Sequence, residues 1–504
     1  MPATPSVQPE TNRFPTWADA VLWTLLAVGL AALALASPIS HDENQYVAAA
    51  VLATRLQPFV DFLYLQSPLQ PLLFKHLVGL WPAHDFILLR LANAACGWLV
   101  LAFVHAAQRR LDVSQRTAWV ATLALAGCTG FLFDVSVARN DALPALLLAA
   151  AAWLAIDARS GPRWAGVGVL LGLAASAKIS FGFAGAAMGG WLLLELFEKR
   201  RHWREFASYG AGGIAGLLPV LVTWHAAPAA FQFGVVGFGA EGVFDWYRQN
   251  GLDGRLTQFA KLWQAPWYLM QGPGLAALLL LIWQRRALPP RAMPIIVLLI
   301  GGVIGALAPT PVWKQYLMPA LVPLFILTGV MLARLPAPHA RRAKWLLLAM
   351  AAAGALGFGI AALNDTRLAH TAAWRTTDEA HWIGDTLRAA GLTRADGEIA
   401  SFTPLVVIDS GFDLDRRFAT GVFVFRSGDL RSDAELAQFH ALSWRTLNRE
   451  FSAAPPLAIV TGYEHKSPIN RLRFPDAALD EWARTHGYRR LASPVDQAVL
   501  WVRP

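Results

Sequence analysis

The chain has 504 residues, of which 55% are hydrophobic and only 15% charged. These charges are too few to cover the surface of a soluble protein of this length, so most of the chain is expected to face lipid. The net charge of +9 comes from residues 1–363, where 26 Lys and Arg stand against 16 Asp and Glu. This distribution is typical of membrane topology signals and phosphate contacts, and it argues against nucleic-acid binding.

Apolar runs that can cross, or nearly cross, about 30 Å of hydrocarbon recur through the first 363 residues. The fourth and fifth of these runs are the shortest. We predict eleven membrane spans, at residues 18–35, 86–107, 117–132, 142–156, 164–177, 181–197, 207–224, 267–283, 293–308, 316–332 and 345–363.

The charges of the connecting loops alternate along the chain. Lys and Arg concentrate in five compact loops, at residues 109–116, 159–163, 199–204, 285–291 and 334–344. Because cytoplasmic loops carry an excess of Lys and Arg, this alternation predicts a cytoplasmic N-terminus and an odd number of spans in a cell (inner) membrane. The region after the last span is then periplasmic, on the same side as the first loop.

Two of the predicted outer loops are long, 37–85 and 225–266. Residues 42–56 in the first loop are predicted to form a helix that opens with acidic residues, which suit a helix N-terminus. In the second loop, Leu256, Phe259, Leu262 and Trp263 share one helical face, which is typical of a helix lying at the membrane interface.

Residues 364–504 have an ordinary composition, and we predict a small C-terminal α/β domain there, following a transmembrane domain of residues 1–363. The predicted helices are 377–390, 433–451 and 476–486. The predicted strands are 398–402, 421–425, 457–461 and 498–502. The fold class is thus an α-helical polytopic membrane protein with an extracytoplasmic α/β domain, whose expected role is a cap or an acceptor-docking module.

Ionisable residues are scarce on the predicted outer side, and those bordered by apolar spans are candidates for function. If the chain transferred a sugar from a lipid phosphate, a carboxylate would accept the proton of the incoming hydroxyl, and cations would neutralise the phosphate leaving group. The candidate carboxylates are Asp42, Glu43 and Asp141. The candidate phosphate-binding residues are Arg139, Lys178, Lys314 and Tyr316.

Each candidate has an alternative structural interpretation. Asp42 and Glu43 suit the cap of the helix that follows them, and Arg139 and Asp141 suit an exposed loop pair. Lys178 and Lys314 can be interpreted as side chains at span ends that extend towards water. Asp134 and His76 are interpreted as ordinary loop residues. No His, Cys or Asp cluster has the spacing of a metal site, and we find no nucleotide-binding motif.

Three segments resemble the protein O-mannosyltransferase-like superfamily, which also includes lipid A aminoarabinose transferases and rhizobial galacturonosyltransferases. The first is residues 40–74, with Asp42-Glu43, Tyr46, Asp61-Phe62 and Pro68-Leu69 in the typical order. The others are residues 138–144 (ARNDALP) and residues 314–319 (KQYLMP) followed by Pro323. The resemblance spans about two-thirds of the chain. One departure is that Gln66 and Ser67 precede Pro68, where some members carry Lys or Glu.

The resemblance implies the type C membrane glycosyltransferase fold, a polyprenyl-phosphate-linked sugar as donor, and inversion at the anomeric carbon. It implies Asp42 as catalytic base, Glu43 and Asp141 as residues that orient the acceptor or organise the site, and Arg139, Lys178, Lys314 and Tyr316 as donor-phosphate ligands. No cofactor is required besides the donor, and assistance by a divalent cation is left open. The hydroxyl acceptor is a lipid, a glycan or a protein.

Two other functions compete with sugar transfer. A transporter or flippase for a lipid-linked sugar would also have many spans and basic residues near headgroups, but it predicts repeated halves and charges at the midplane. We find no internal repeat, and the ionisable residues lie on one predicted side. A non-catalytic scaffold is favoured only by the C-terminal region.

Overall fold

A computed structural model describes residues 16–364, 372–464, 475–492 and 498–504. Its α-helices are α1 Thr16–Ala36, α2 Glu43–Leu52, α3 Leu69–Phe74, α4 Asp85–Arg110, α5 Gln115–Ala126, α6 Thr129–Ser136, α7 Ala142–Ala155, α8 Gly161–Ala177, α9 Gly182–Phe197, α10 Trp203–Gly216, α11 Leu218–Ala226, α12 Pro228–Gln232, α13 Val243–Gln249, α14 Gln258–Met270, α15 Gly274–Gln284, α16 Met293–Leu307, α17 Met318–Arg334, α18 Ala337–Asn364, α19 Ala372–Ala389, α20 Leu405–Ile408, α21 Phe423–Arg426, α22 Asp433–Gln438, α23 Leu447–Ala453 and α24 Pro475–Thr485. A π-helix, Phe233–Gly242, connects α12 to α13.

Among the described residues, six helices are long and apolar enough to cross a membrane, and three bent helix pairs bring the number to nine. The pairs are α5 with α6, α10 with α11, and α14 with α15, bent by 69°, 47° and 105°. These nine coincide with nine of the predicted spans. The remaining two predicted spans are α7 and α8, whose 14 and 17 residues extend roughly 21 and 26 Å at 1.5 Å per residue. The count of eleven therefore stays a prediction.

The long helices differ in how much of their surface the protein covers. In the apolar stretch of the helix that contains α17, 83% of the residues are buried. In the corresponding stretches of α1 and α18, only 11% and 17% of the residues are buried. An apolar helix that is left uncovered needs an apolar solvent, so α1 and α18 face lipid at the perimeter. The chain is a multi-pass membrane protein with α17 at its centre.

Helices α8 and α10 pack so closely that only glycine fits at their contact. A Cβ added at Gly168 would lie 2.2 Å from the carbonyl oxygen of Tyr209, and one at Gly212 would lie 2.1 Å from that of Ala165. Small residues that let helix backbones approach each other are typical of membrane interfaces. The short helix α8, whose end precedes Lys178, is thereby held rigidly.

The amphipathic second-loop stretch lies at the start of α14 and just before it. Phe259, Leu262 and Trp263 are 81%, 73% and 58% exposed, so these three form an uncovered apolar surface. Leu256, the fourth residue of the predicted face, lies outside α14 in the 3-10 turn Asp253–Leu256 and is only partly exposed. Its placement at the membrane interface stays a prediction.

The C-terminal region contains a five-stranded sheet in the order β2-β1-β3-β5-β4. Strand β1 pairs in parallel with β2 and β3, while β5 pairs antiparallel with β3 and β4. The predicted mixed α/β composition of this region is confirmed, and the domain boundary near residue 364 stays a prediction. The strands are β1 Glu398–Ala400, β2 Asp413–Leu414, β3 Ala458–Thr461, β4 Arg489–Leu491 and β5 Val499–Val502.

Two predictions for this region were wrong. Residues 421–425 form no strand, because Phe423–Arg426 is the short helix α21. The apolar side chains of residues 422–425 are all buried, and a short apolar run that is buried all round has no periodicity to separate helix from strand. The predicted helix 433–451 is interrupted, since α22 ends at Gln438 and α23 begins at Leu447.

The first loop and the C-terminal region share one hydrophobic core. Phe62 and Tyr64 from the loop belong to the same buried cluster as Phe402, Phe418 and Ile459 from around the sheet. The backbone nitrogen of Leu405 also donates to Asn44 Oδ1 at 3.3 Å. The segment that carries Asp42 is therefore enclosed between the membrane helices and the C-terminal region.

Candidate active site

Four of the predicted residues form one ion-paired group, here called the Asp42 cluster: Asp42, Arg139, Asp141 and Lys178. The Arg139 guanidinium forms an ion pair with Asp42 and lies 3.3 Å from Asp141 Oδ2, and Lys178 forms an ion pair with the other oxygen of Asp141. The Asp42 side chain is 31% exposed, whereas those of the other three are almost fully buried. Asp42 is therefore the carboxylate in the cluster that a substrate can reach.

Helix ends bring these side chains together. Asp42 directly precedes α2, Asp141 directly precedes α7, and Lys178 follows the last residue of α8. Although Asp42 occupies the N-cap position of α2, its side chain makes no capping hydrogen bond. Its carboxylate is directed to Arg139 instead.

The segment that carries Arg139 is fixed by buried amides. Asn93 Nδ2 donates to the carbonyl oxygens of Val137 and Arg139 at 2.6 and 3.0 Å, and Gln70 Nε2 donates to that of Arg139 at 3.0 Å. Asn140 Nδ2 donates to Gln66 Oε1 at 3.2 Å, so Gln66 lies beside the cluster. Sequence reasoning missed Asn93 and Gln70.

Glu43 lies in a separate buried pair, here called the Glu43 clamp. Arg90 donates to both carboxylate oxygens of Glu43, at 2.8 and 2.6 Å, and neither side chain is exposed. The backbone nitrogens of Ala138 and Ser40 donate to the same carboxylate at 2.7 and 2.8 Å. Glu43 thus ties the first loop to α4 and to the Arg139 segment. Arg90 was not singled out from the sequence, although a cation inside an apolar span is a recognisable signal.

Lys314 and Tyr316 lie next to the Asp42 cluster. Lys178 Nζ is 5.2 Å from the centre of the Tyr316 ring. Lys314 Nζ is 3.9 Å from the centre of the Phe133 ring, and that ring also lies 5.5 Å from the Arg139 guanidinium. All seven predicted site residues are therefore in one region of the molecule.

The interpretation of Asp134 as an ordinary loop residue was wrong. Asp134 lies in α6 and is fully buried, and neither of its carboxylate oxygens has a hydrogen-bond partner among the described residues. Asp61, in contrast, accepts a hydrogen bond at 2.7 Å from the backbone of Gln57 within its own turn.

The environment of Asp42 keeps it ionised. Burial alone would raise the pKa of its carboxyl, but the charge and hydrogen bond of Arg139 outweigh burial, so the pKa lies below its ordinary value of 3.8. A carboxylate held in its charged form can accept a proton whenever a donor hydroxyl is placed against it.

A cavity of about 790 Å³, here called the groove, opens beside the Asp42 cluster. Its wall is formed by residues 37–40, α6, α18, the break between α14 and α15, and Lys314. Ser40 lines the groove, and its hydroxyl oxygen lies 3.5 Å from Arg139 Nη1. The groove therefore runs from the lipid-facing helix α18 to the charged cluster.

Comparison with known proteins agrees with this architecture. Residues 66–224 match the family of dolichyl-phosphate-mannose-protein mannosyltransferases, a segment that contains Arg139, Asp141 and Lys178. No curated protein sequence matches the chain.

Two structures of ArnT from Cupriavidus metallidurans have a similar fold. The structure bound to undecaprenyl phosphate superposes with a TM-score of 0.59 at 15% identity, over 96% of this chain and 98% of that one. The apo structure gives 0.63 at 14% identity, over 97% and 98%. The protein therefore has the fold of these two structures, and the family match together with this shared fold confirms the resemblance seen in the sequence motifs.

Proposed function

We propose that this protein is an inverting glycosyltransferase that moves a sugar from a polyprenyl-phosphate donor to a hydroxyl group of a lipid, glycan or protein acceptor. The observation that carries the proposal is Asp42, a partly exposed carboxylate that Arg139 holds ionised beside an apolar groove. The groove joins lipid-facing α18 to Lys314, as a polyprenyl chain with a terminal phosphate would require. The ArnT structure with a similar fold was solved with undecaprenyl phosphate bound.

In the proposed reaction, Asp42 accepts the proton of the acceptor hydroxyl as its oxygen attacks the anomeric carbon. The bond from that carbon to the phosphate oxygen breaks on the opposite side, and polyprenyl phosphate leaves with the electron pair. Lys314 forms no ion pair with a carboxylate among the described residues, so its amino group can contact the donor phosphate. Arg139, Lys178 and Tyr316 complete the phosphate-binding side.

Asp141 and Glu43 have supporting roles in this proposal. Asp141 is buried between Arg139 and Lys178, so it orients the two cations. Glu43 is enclosed by the donors of the clamp, so it organises the site without touching substrate. The charge alternation of the loops supports placing this site on the periplasmic side, where a lipid-linked donor is used.

The proposal predicts that Asp42→Asn lowers transfer by about 10²–10⁴-fold, the usual contribution of a general base. The measurement is sugar transfer by purified full-length protein in liposomes that contain polyprenyl-phosphate sugars extracted from the membrane of origin. Glu241→Gln is the matched control, because it removes an exposed carboxylate of the second loop that pairs with Arg431 at 2.8 Å. Full transfer by Asp42→Asn, or movement of the donor across the bilayer without product, would refute the proposal.

A further inference from the structure

One arginine of the C-terminal region lies against the active site. Arg426, at the end of α21, has its guanidinium carbon 4.7 Å from the centre of the Phe423 ring and 4.8 Å from that of Trp246 in α13. The Phe423 ring in turn lies 4.9 Å from the ring of His41, which precedes Asp42. Arg426 is therefore located where the first loop, the second loop and the C-terminal region meet.

The guanidinium of Arg426 has no acceptor at hydrogen-bond distance in the described part of the chain, and its Nε is buried. Burial lowers the pKa of Arg426 to about 10, although the charges of Glu464 and Asp42 act in the opposite direction. Other arginines of this region have close carboxylate partners, such as Arg417 with Asp415 and Arg394 with Asp413. A half-buried cation without a partner is costly unless an anion binds to it.

Arg426 lies outside the groove. All residues that line the groove come from residues 37–40 and from the membrane helices and their connections, and none comes from the C-terminal region. In an inverting displacement, the nucleophile approaches from the side opposite the leaving group. In the proposed reaction the donor phosphate binds at Lys314 in the groove, which leaves Arg426, outside the groove and next to the segment that precedes Asp42, for the acceptor.

We propose that Arg426 binds an oxyanion, a phosphate or a carboxylate, that belongs to the acceptor. The aromatic rings of Trp246 and Phe423 hold the planar guanidinium in place, which prepares its donors for a bidentate contact with such a group. The C-terminal region then selects an anionic acceptor for Asp42 to deprotonate. This inference rests on the proposed function, because it takes the acceptor side from the proposed reaction.

The test measures whether anions bind to the purified full-length protein in detergent. The readout is the midpoint of thermal unfolding. The probes are glucose 6-phosphate, glucuronate and neutral glucose. A ligand that binds the folded state raises the midpoint by mass action. We expect one of the anions to stabilise the wild type more than glucose does. Arg426→Gln should lower the affinity for that anion about tenfold or more, because a charge-assisted contact is lost.

Two further variants make the result specific. Arg449→Gln, which removes an exposed arginine paired with the neighbouring Glu450, should bind the anion as the wild type does. Arg426→Lys keeps the charge but loses the fork of donors, so it should bind several-fold more weakly. The two anionic probes distinguish a phosphate site from a carboxylate site.

The proposal is overturned if neither anion binds better than glucose, or if Arg426→Gln and Arg426→Lys bind as tightly as the wild type. It is also overturned if Lys314→Gln abolishes anion binding while Arg426→Gln does not. Since this binding requires no sugar transfer, its outcome is independent of the Asp42→Asn experiment that tests the proposed function.

Discussion

The Asp42 cluster and the Glu43 clamp are built on two consecutive acidic residues, yet their environments are opposite. Glu43 is fully buried and accepts hydrogen bonds from Arg90 and from two backbone nitrogens. Asp42 is 31% exposed and has Arg139 as its ion-pair partner. The comparison indicates that one acid of the pair holds the structure together while its neighbour stays available to a substrate.

The geometry of a helix start explains this division. Consecutive residues at a helix start point about 100° apart, so Glu43 turns towards α4 while Asp42 turns towards α7 and α8. A buried carboxylate is stable only when donors surround it, and the clamp supplies them. The clamp also fixes Ala138, the residue before Arg139, so a rigid region positions a reactive one.

The largest expected effect on stability comes from breaking the clamp. Arg90→Ala leaves Glu43 as a buried charge without its cation, which should cost about 3–5 kcal/mol of folding free energy. The measurement is the unfolding midpoint and the yield of folded protein in detergent. Asp42→Asn should leave both almost unchanged, because its carboxylate is partly exposed.

A double variant sharpens this prediction. Replacing both partners, Glu43→Gln with Arg90→Met, removes the buried charges together and should recover part of the lost stability. If Arg90→Ala unfolds at the wild-type temperature, the clamp is not what holds the first loop, and the contrast with Asp42 fails.

The second prediction concerns the cluster. Arg139→Gln should lower transfer about 10²–10³-fold, as the loss of a preorganised charge does, and it should move the acid limb of the pH–rate profile to higher pH. The sign follows from the pKa of Asp42, which Arg139 holds below 3.8 against the effect of burial. Without Arg139, burial raises that pKa, so protonation inactivates the base at a higher pH.

The matched control is Arg55→Gln. Arg55 is a first-loop arginine that pairs with Asp413 at 2.8 Å and lies 3.4 Å from Glu398, both in the C-terminal region. Its removal should leave the acid limb in place. An unchanged acid limb in Arg139→Gln would show that Arg139 does not set the charge state of Asp42.

The sequence predicted the cluster better than the clamp. Asp42, Arg139, Asp141 and Lys178 are charged residues next to apolar spans, so their scarcity identified them. The resemblance assigned the two acids different roles, but the buried environment of Glu43 could not be predicted from sequence, because it depends on Arg90, which is 47 residues away along the chain. Arg90, Asn93 and Gln70 lie in apolar or mixed helices, where only the fold reveals what their side chains reach.

The fold, like the candidate site, could be predicted in part from the sequence. Apolar length located the nine long or bent membrane helices, since each must match the hydrocarbon thickness. The short strands β2 and β4, of two and three residues, have too few residues for a pattern. Helix α21, which carries Arg426, was predicted as a strand because its apolar side chains are buried on every side. The acceptor-side arginine was therefore not identified before the structure.

The smallest predicted effect concerns how the C-terminal region supports the clamp. The Asp409 carboxylate accepts hydrogen bonds from the backbone nitrogens of Asp85 and Phe86, at 2.8 and 3.4 Å, and from the Thr377 hydroxyl at 3.2 Å. It thus caps the first turn of α4, the helix that carries Arg90.

Asp409→Ala should cost about 1 kcal/mol, the usual loss of a helix cap, and lower the unfolding midpoint less than Arg90→Ala does. Asp385→Ala, which removes an exposed carboxylate paired with Arg388, should lower the midpoint less again, because surface ion pairs contribute little. A loss from Asp409→Ala as large as that from Arg90→Ala would mean that α4 is held mainly by the C-terminal region. The rigid support of Asp42 would then lie outside the membrane helices. The comparison to make would be between the C-terminal region and the site that it covers, in place of the one between the clamp and the cluster.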